Sequence, residues 1–287
     1  GNYRCNLQEG ESRINNYPNY LLNEEAKILD PASSALGLTV GSLSTGNIPF
    51  RYAENSGVRS VAHENEFPSP FTRTGFGVDG MIKPELVDFG GDECFSRGMI
   101  ITDQGVGIPT TSKNFLPPSS QLFRAPAGTS FAAPAVASMA AMLFNHFPSA
   151  TSNMIRALLG DSALIPRDRP TLLQGNQYEE NVLRTYGYGR ADYERAAYSD
   201  QGEVLLIAED EINLGNFHLY EIPSIPNEFL ERKGERYICV TLAFDPPTRP
   251  TRGDSYLGVS MRYHLFRNIQ LKRVEGIFRD WKRAPAG

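Results

Sequence analysis

The chain has 287 residues, of which 40% are apolar, so it is long enough for one large domain or two modest ones with buried cores. Its 28 Lys and Arg against 33 Asp and Glu give a formal net charge of −5, which argues against a basic surface that binds nucleic acid or anionic membranes. The longest apolar stretch, residues 131–144, is interrupted by Pro134 and Ser138 and is shorter than the ~20 residues of a spanning helix. We therefore expect neither nucleic acid nor a membrane as a partner.

The N-terminal residues and the cysteines bear on where the protein works. The first six residues lack the basic start and the apolar core of a signal or transit peptide. Cys5, Cys94 and Cys239 lie far apart, without the C-x-x-C spacing of a metal site or redox pair. We therefore expect isolated reduced thiols in a cytoplasmic protein, with a secreted protein as the alternative.

Residues up to about 198 have the pattern of an α/β domain, in which short apolar runs come before helices. A Val- and Leu-rich run at 35–43 predicts a buried parallel strand, and a second strand is predicted at 84–89. The segments 45–69 and 92–121 are rich in Gly, Pro, Ser and Asn, and they predict long loops. Long loops in compact domains are often functional.

Three helices are predicted in the second half of this domain. Residues 130–145 carry apolar side chains on every face, many of them Ala, which predicts a helix buried on all sides. A shorter helix is predicted at 152–160, with Thr151 or Ser152 as its N-cap. A third is predicted at 190–197.

The character of the sequence changes after residue 199. Between 256 and 266, apolar and polar residues alternate, as they do in a half-buried strand. We therefore predict an α/β unit over 1–199 and a small all-β, sandwich-like domain over 200–287. The predicted strands of this second domain are residues 203–208, 217–222, 236–244 and 256–266. The basic tail that follows is interpreted as a solvated face, with a docking surface for an acidic partner as the alternative.

The segment that points to chemistry is 128–134, which reads G-T-S-F-A-A-P where a loop leads into the long apolar helix. It places the Ser130 hydroxyl at the positive end of a helix, where free backbone N–H groups can also stabilise a developing negative charge. Gly128 permits a tight approach to the helix, and Pro134 lies early enough that its missing N–H costs little. An ordinary N-cap is the alternative interpretation of Ser130.

This segment resembles the nucleophile segment of the subtilisin-like serine proteases, in which G-T-S-x-A-x-P opens a buried helix. Other stretches that resemble family segments are 36–42, 69–77, 79–87, 146–148 and 186–190. Residues 88–90 depart from the family, because they read D-F-G where it usually has A-P-G. The resemblance covers residues 1 to about 198 and implies a subtilisin-like parallel sheet with flanking helices, incomplete in this chain.

The resemblance also implies roles for individual residues. Ser130 matches the nucleophile, and Asn2 matches the asparagine whose side chain donates to the oxyanion. Gly1 and Thr129 match positions beside the bound substrate. A frayed terminal residue is the alternative interpretation of Asn2. No cofactor is implied, and although structural calcium occurs in the family, no clustered carboxylates identify a site.

A serine nucleophile needs a general base and a carboxylate that orients the base. In the family both come before the Gly-Asn segment, and this chain contains neither an H-G-T-H segment nor a D-(S/T)-G strand end. His146 would lie about 24 Å from Ser130 along the same helix, at ~1.5 Å per residue. His63 matches no family motif, and His218 and His264 fall in the predicted β domain. We therefore predict a partner segment, the N-terminal half of the same protease, that supplies His and Asp.

Two functions are compatible with these features. One is a serine endopeptidase that cleaves proteins or peptides, and the other is a degenerate subtilase that acts as a binding or scaffolding module through residues 200–287. A sedolisin is a further enzymatic alternative, but Asn2 argues against it because sedolisins have an aspartate there. An α/β-hydrolase is excluded because G-x-S-x-G does not surround Ser130. Some intracellular bacterial subtilases work beside an ATPase, so an ATPase is a further candidate partner.

Overall fold

The computed structural model describes residues 1–3, 10–46, 57–176, 179–199, 202–222, 225, 227–231, 233–234, 236–249, 251, 256–267 and 269–281. The strands are β1 Val40–Thr45, β2 Arg59–Ser60, β3 Asn65–Pro68, β4 Leu86–Phe89, β5 Cys94–Ser96, β6 Met99–Ile101, β7 Thr110–Thr111 and β8 Phe123–Arg124. The α-helices are α1 Gly10–Asn15, α2 Thr129–His146, α3 Ser152–Ser162, α4 Glu180–Tyr186, α5 Tyr193–Ala197, α6 Asn227–Glu231 and α7 Leu271–Trp281. Short 3-10 turns lie at Asn19–Leu22, Glu24–Ala26, Val78–Gly80 and Thr171–Leu173. Within the described ranges, no helix has the length and hydropathy needed to cross a bilayer.

The central sheet has three strands in the order β3–β1–β4. β1 and β4 run parallel, with Val40 opposite Leu86 and Leu43 opposite Phe89. β3 lies antiparallel to β1 on its other side. Both predicted strands form but begin later than predicted. For β4 the reason is Pro84, which has no N–H to donate to a ladder.

Helices cover this sheet on both faces, which confirms the α/β class. Successive residues of a strand point to opposite faces. Leu86 accordingly packs with Val136 and Leu143 of α2 and with apolar residues of α3 and α5. Its neighbour Val87 packs on the other face with Val182 and other apolar residues around α4. The sheet is thus the middle layer of three.

Helix α2 forms as predicted, with one extra residue at each end, but it is not buried on all sides. Ala132, Val136 and Leu143 are buried, whereas Met142 and Phe144 are 47% and 41% exposed. The prediction of burial on every face is wrong for this structure, because β1, β4, α3 and α5 cover one side of α2 only. The opposite side is an apolar face open to solvent.

The later helices differ from prediction mainly at their ends. Thr151 is the N-cap of α3, since its Oγ1 accepts a hydrogen bond from the Met154 N–H at 3.3 Å. α3 continues two residues beyond its predicted end. α5 begins three residues later than predicted because Asp192 caps it, accepting from the Arg195 N–H at 3.0 Å. The short helix α4, of 7 residues, was not predicted from the sequence.

The two predicted long loops contain short strands. The first holds β2 and β3, and its residues 47–56 lie outside the described part of the chain. The second holds β5, β6 and β7. β5 and β6 form a hairpin whose turn residues Arg97 and Gly98 have φ of 48° and 81°. Two positive φ values in succession suit a tight two-residue turn.

The predicted all-β domain is not confirmed. In the described residues after 199, the segments predicted as strands run mainly as coil, with isolated bridge residues at Glu203 and Leu257, the latter paired with Thr248. Large apolar side chains stay exposed there, such as Leu214 at 80%. Alternation favours a strand only where a neighbour completes the ladder, and these segments have no such neighbour among the described residues. The division of the chain at 199 stays a prediction.

Candidate active site

Ser130 lies at the N-terminus of α2, as predicted. Its side chain is exposed, and within the described part of the chain its Oγ has no hydrogen-bond partner. Ahead of the helix, Gly128 is buried and donates its N–H to the Gly90 carbonyl at 2.8 Å. The first N–H groups of a helix have no acceptor within it, so Ser130 presents a free hydroxyl at the positive end of α2.

The side chain of Asn2 meets this helix start, 127 residues away in sequence. Its Oδ1 accepts from the Thr129 N–H at 2.9 Å and from the Thr129 hydroxyl at 3.0 Å. This orientation leaves Nδ2 as the donor end of the amide. A Cβ on Gly128 would lie 3.1 Å from that Nδ2, so a glycine there allows the close approach. The structure therefore brings Asn2, Gly128, Thr129 and Ser130 together.

Tyr3 holds Asn2 in place. The Tyr3 N–H donates to the Phe71 carbonyl at 2.7 Å, and the Tyr3 side chain is 4% exposed. Its ring packs against Tyr20, and the Arg73 guanidinium lies 5.4 Å from the ring centroid. This anchorage argues against a frayed Asn2. Gly1 is exposed and has open space around it.

A glycine turn behind the helix start was not identified from the sequence as part of the site. A Cβ on Gly90 would lie 2.0 Å from Ser42 Oγ and 2.8 Å from the Gly128 carbonyl oxygen. The Ser69 hydroxyl lies 2.7 Å from Ser42 Oγ and donates to the Gly91 carbonyl at 2.6 Å. Gly90 and Gly91 thus let the chain pass directly behind Gly128. Two glycines immediately after a predicted strand were the available signal.

Two buried carboxylates flank this turn. Burial raises the pKa of Asp88, against the hydrogen bond from the Phe89 N–H and the charge of Arg190. Burial also raises the pKa of Asp92 to about 7, although its carboxylate accepts from Ala62, Glu93 and Ser44. Both are surrounded by donors from the protein itself and have no contact with Ser130 Oγ.

Within the described residues, no histidine is hydrogen-bonded to Ser130. His146 is at the far end of α2, as predicted, with its ring 4.7 Å from that of Tyr198. His63 packs edge-on against Tyr17, and burial lowers its pKa. His218 lies 3.4 Å from the Asp210 carboxylate, in the C-terminal segment.

The described residues contain neither a candidate metal site nor a reactive thiol at Cys94. No group of His, Cys, Asp or Glu side chains there is arranged to hold a metal ion. Cys94 and Cys239 are free thiols, and Cys5 lies outside the described residues. Burial raises the pKa of Cys94 to about 12, so its thiol stays protonated and unreactive at neutral pH.

Comparison with known proteins agrees with this geometry. A family model described as "Subtilase family" matches residues 1–189. The uncharacterized protein y4bN of Sinorhizobium fredii (strain NBRC 101917 / NGR234) is 40% identical over 268 residues. The match covers 91% of this chain and 60% of that relative, so the chain spans only part of the relative's length.

Proposed function

Since the chain belongs to the subtilase family, we propose that it is the nucleophile-bearing part of a serine endopeptidase. The observation that carries this proposal is the meeting of Asn2 with the start of α2, where Oδ1 accepts from the Thr129 N–H beside the free Ser130 hydroxyl. The Asn2 Oδ1 satisfies the first N–H of this helix, and the same amide keeps its Nδ2 free to donate. This amide therefore has the chemistry of an oxyanion donor.

The proposed roles follow from these positions. Ser130 Oγ attacks the carbonyl carbon of the scissile peptide bond, and the resulting oxyanion accepts hydrogen bonds from the Ser130 N–H and from Asn2 Nδ2. Thr129 fixes the amide of Asn2 so that Nδ2 is the end available to donate. Gly1 and Thr129 line the path of the substrate chain.

The base and its orienting carboxylate come, in this proposal, from the N-terminal half of the same protease. Two observations support it. Ser130 has no base within hydrogen-bonding reach in the described part of the chain. The open face of α2 carries Ala133, Ala137, Ala141, Met142 and Phe144, all exposed, which is the composition of a surface that another element covers.

The test is covalent labelling of the full-length protein with a fluorophosphonate. We expect the wild-type protein to be labelled and Ser130→Ala to show no labelling. Ser138→Ala is the matched control, because Ser138 is another exposed serine of α2, and it should label like the wild type. A folded full-length protein that resists labelling would instead be a binding module. A cytoplasmic location and an ATPase partner stay predictions.

A further inference from the structure

We propose that Arg190, together with Asp88 and Phe89, is a positioning residue for the nucleophile. These three side chains fix the end of β4. The residue that follows this strand, Gly90, accepts a hydrogen bond from the Gly128 N–H just before α2. The inference rests on the proposed protease activity and adds to it a residue outside the nucleophile segment.

The side chain of Arg190 contacts Phe89, Asp88 and Glu66 in the described part of the chain. Its guanidinium carbon lies 4.6 Å from the centroid of the Phe89 ring. Its Nε lies 3.5 Å from Asp88 Oδ1, and its Nη1 lies 3.4 Å from Glu66 Oε1. A planar guanidinium can stack on a ring and pair with carboxylates at its edge simultaneously, which an ammonium group cannot do.

The backbone around Arg190 explains how this side chain reaches β4. The Val87 N–H donates to the Gly189 carbonyl at 3.0 Å, so the Y-G-Y-G-R segment runs directly alongside the strand. A Cβ on Gly187 would lie 2.2 Å from the Pro84 carbonyl oxygen. On its other side, Arg190 pairs through both backbone groups with Leu164, at 2.9 and 3.0 Å. The position of the arginine is therefore determined by backbone pairing on two sides.

A backbone hydrogen bond connects the end of β4 to the nucleophile segment. Within the cluster, Asp88 Oδ1 accepts from the Phe89 N–H at 2.7 Å, which orients the peptide between Asp88 and Phe89 just before Gly90. The Gly90 carbonyl then accepts from the Gly128 N–H, and Gly128 lies against Asn2. A shift of residues 88–90 would therefore move the helix start and the amide of Asn2. Errors of ~1 Å in the placement of reacting groups can cost about 10²-fold in rate.

A purely stabilising role explains these contacts less well. The side chains of Arg190 and Glu66 are 43% and 33% exposed, and ion pairs of such exposure contribute little to stability. Asp88 is 11% exposed, but its carboxylate also accepts from the Phe89 N–H and so keeps a partner without Arg190. Asp88 and Phe89 also stand where the family usually has Ala and Pro, so the partners of Arg190 are a feature of this chain. Placement of the helix start is what these partners can supply.

The experiment compares Arg190→Lys and Arg190→Met in the full-length protein with Arg195→Met. Arg195 is a matched control because it pairs with Glu203, away from β4. The measurements are kcat and KM on a peptide substrate, the fluorophosphonate labelling rate per titrated site, and Tm. We expect kcat and the labelling rate to fall about 10-fold in Arg190→Lys and up to about 10²-fold in Arg190→Met. We expect KM to stay within about 2-fold and Tm within a few degrees, and Arg195→Met to match the wild type.

Two results would overturn the inference. The first is an unchanged rate per titrated site in Arg190→Met. The second is a loss of titratable sites and of Tm with normal kinetics in the sites that remain, since that result describes a folding role. Failure of the proposed function is distinguishable from both, because the wild-type protein itself would then not be labelled.

Discussion

The α/β unit and the C-terminal segment both contain apolar patterns that predict strands, but the two regions differ in burial. Between residues 10 and 199, Leu86 and Val87 lie in two cores on opposite faces of one sheet. In the described residues after 199, large apolar side chains stay exposed, among them Val204 at 67%, Leu214 at 80% and Tyr237 at 65%. An apolar pattern typical of a strand is therefore not sufficient to form one, because the strand also needs a partner.

Polar contacts join the two regions at α3 and α5, and Leu205 also packs against the core that contains Leu86. Arg156 lies 3.1 Å from the Asp245 carboxylate, and the Thr241 hydroxyl donates to Asp161 at 2.8 Å. The Thr151 hydroxyl also contacts Glu209. Exposed polar contacts of this kind contribute far less than apolar burial. Substitutions in the α/β unit should accordingly have large effects, and matched substitutions after 199 small ones.

The largest expected difference is between two asparagines. Asn2→Ala should lower kcat of the full-length protease about 10²–10³-fold, the loss that removal of the oxyanion-hole asparagine causes in subtilisin. Asn213→Ala, an exposed asparagine of the C-terminal segment, should leave kcat unchanged. Steady-state kinetics on a peptide substrate makes the comparison. Equal kcat values in the two variants would show that Asn2 has no role in catalysis.

A buried and an exposed leucine should differ in their contribution to stability. Leu143 is fully buried between α2 and the sheet, and Leu143→Ala should lower the free energy of unfolding by about 2–5 kcal/mol. Leu214 is 80% exposed, and Leu214→Ala should change it by less than about 0.5 kcal/mol. Urea unfolding of both variants measures the difference. Similar losses would mean that another part of the full-length protein buries Leu214.

Asp92 should make stability depend on pH. Burial raises its pKa from the ordinary 3.8 to about 7, so between these values the folded chain holds a proton that the unfolded chain has released. The stability contributed by the protonated carboxyl is complete below about pH 4 and is lost as pH rises through about 7. Asp92→Asn should lose less stability than the wild type between pH 4 and 7. Parallel pH profiles of Tm would show that Asp92 is ionised in the folded state.

The smallest expected change in the free energy of unfolding is at one polar contact between the two regions, the pair Arg156–Asp245. The side chains of Arg156 and Asp245 are 22% and 57% exposed, so a double-mutant cycle with Arg156→Met and Asp245→Asn should give a coupling of about 0.2–1 kcal/mol. Urea unfolding measures the free energy of unfolding of the wild type, the two single variants and the double variant. A coupling above about 2 kcal/mol would contradict the description of this contact as a weak surface pair.

Local features of the sequence predicted much of the α/β unit. Gly128 and the Ala-rich run placed the start of α2 within one residue, and Thr151 identified the cap of α3. Non-local features were missed. The antiparallel strand β3 lies in a predicted loop, and its pairs with β1, Leu43 with Pro68 and Thr45 with Asn65, join residues far apart in sequence. Such pairing depends on neighbours that no local pattern reports.

Ser130 and Asn2 illustrate the two kinds of information in the site. The sequence alone predicted a role for both residues, because the order of residue types around each resembles one family, and α2 begins at Thr129 for local reasons of chain geometry. Only the tertiary structure showed that Asn2 Oδ1 bonds Thr129, that Gly90 lies behind Gly128, and that Arg190 reaches Asp88 and Phe89. Those contacts join segments far apart in the chain. They depend on how the sheet packs, whereas helix caps and strand periods depend on a few consecutive residues.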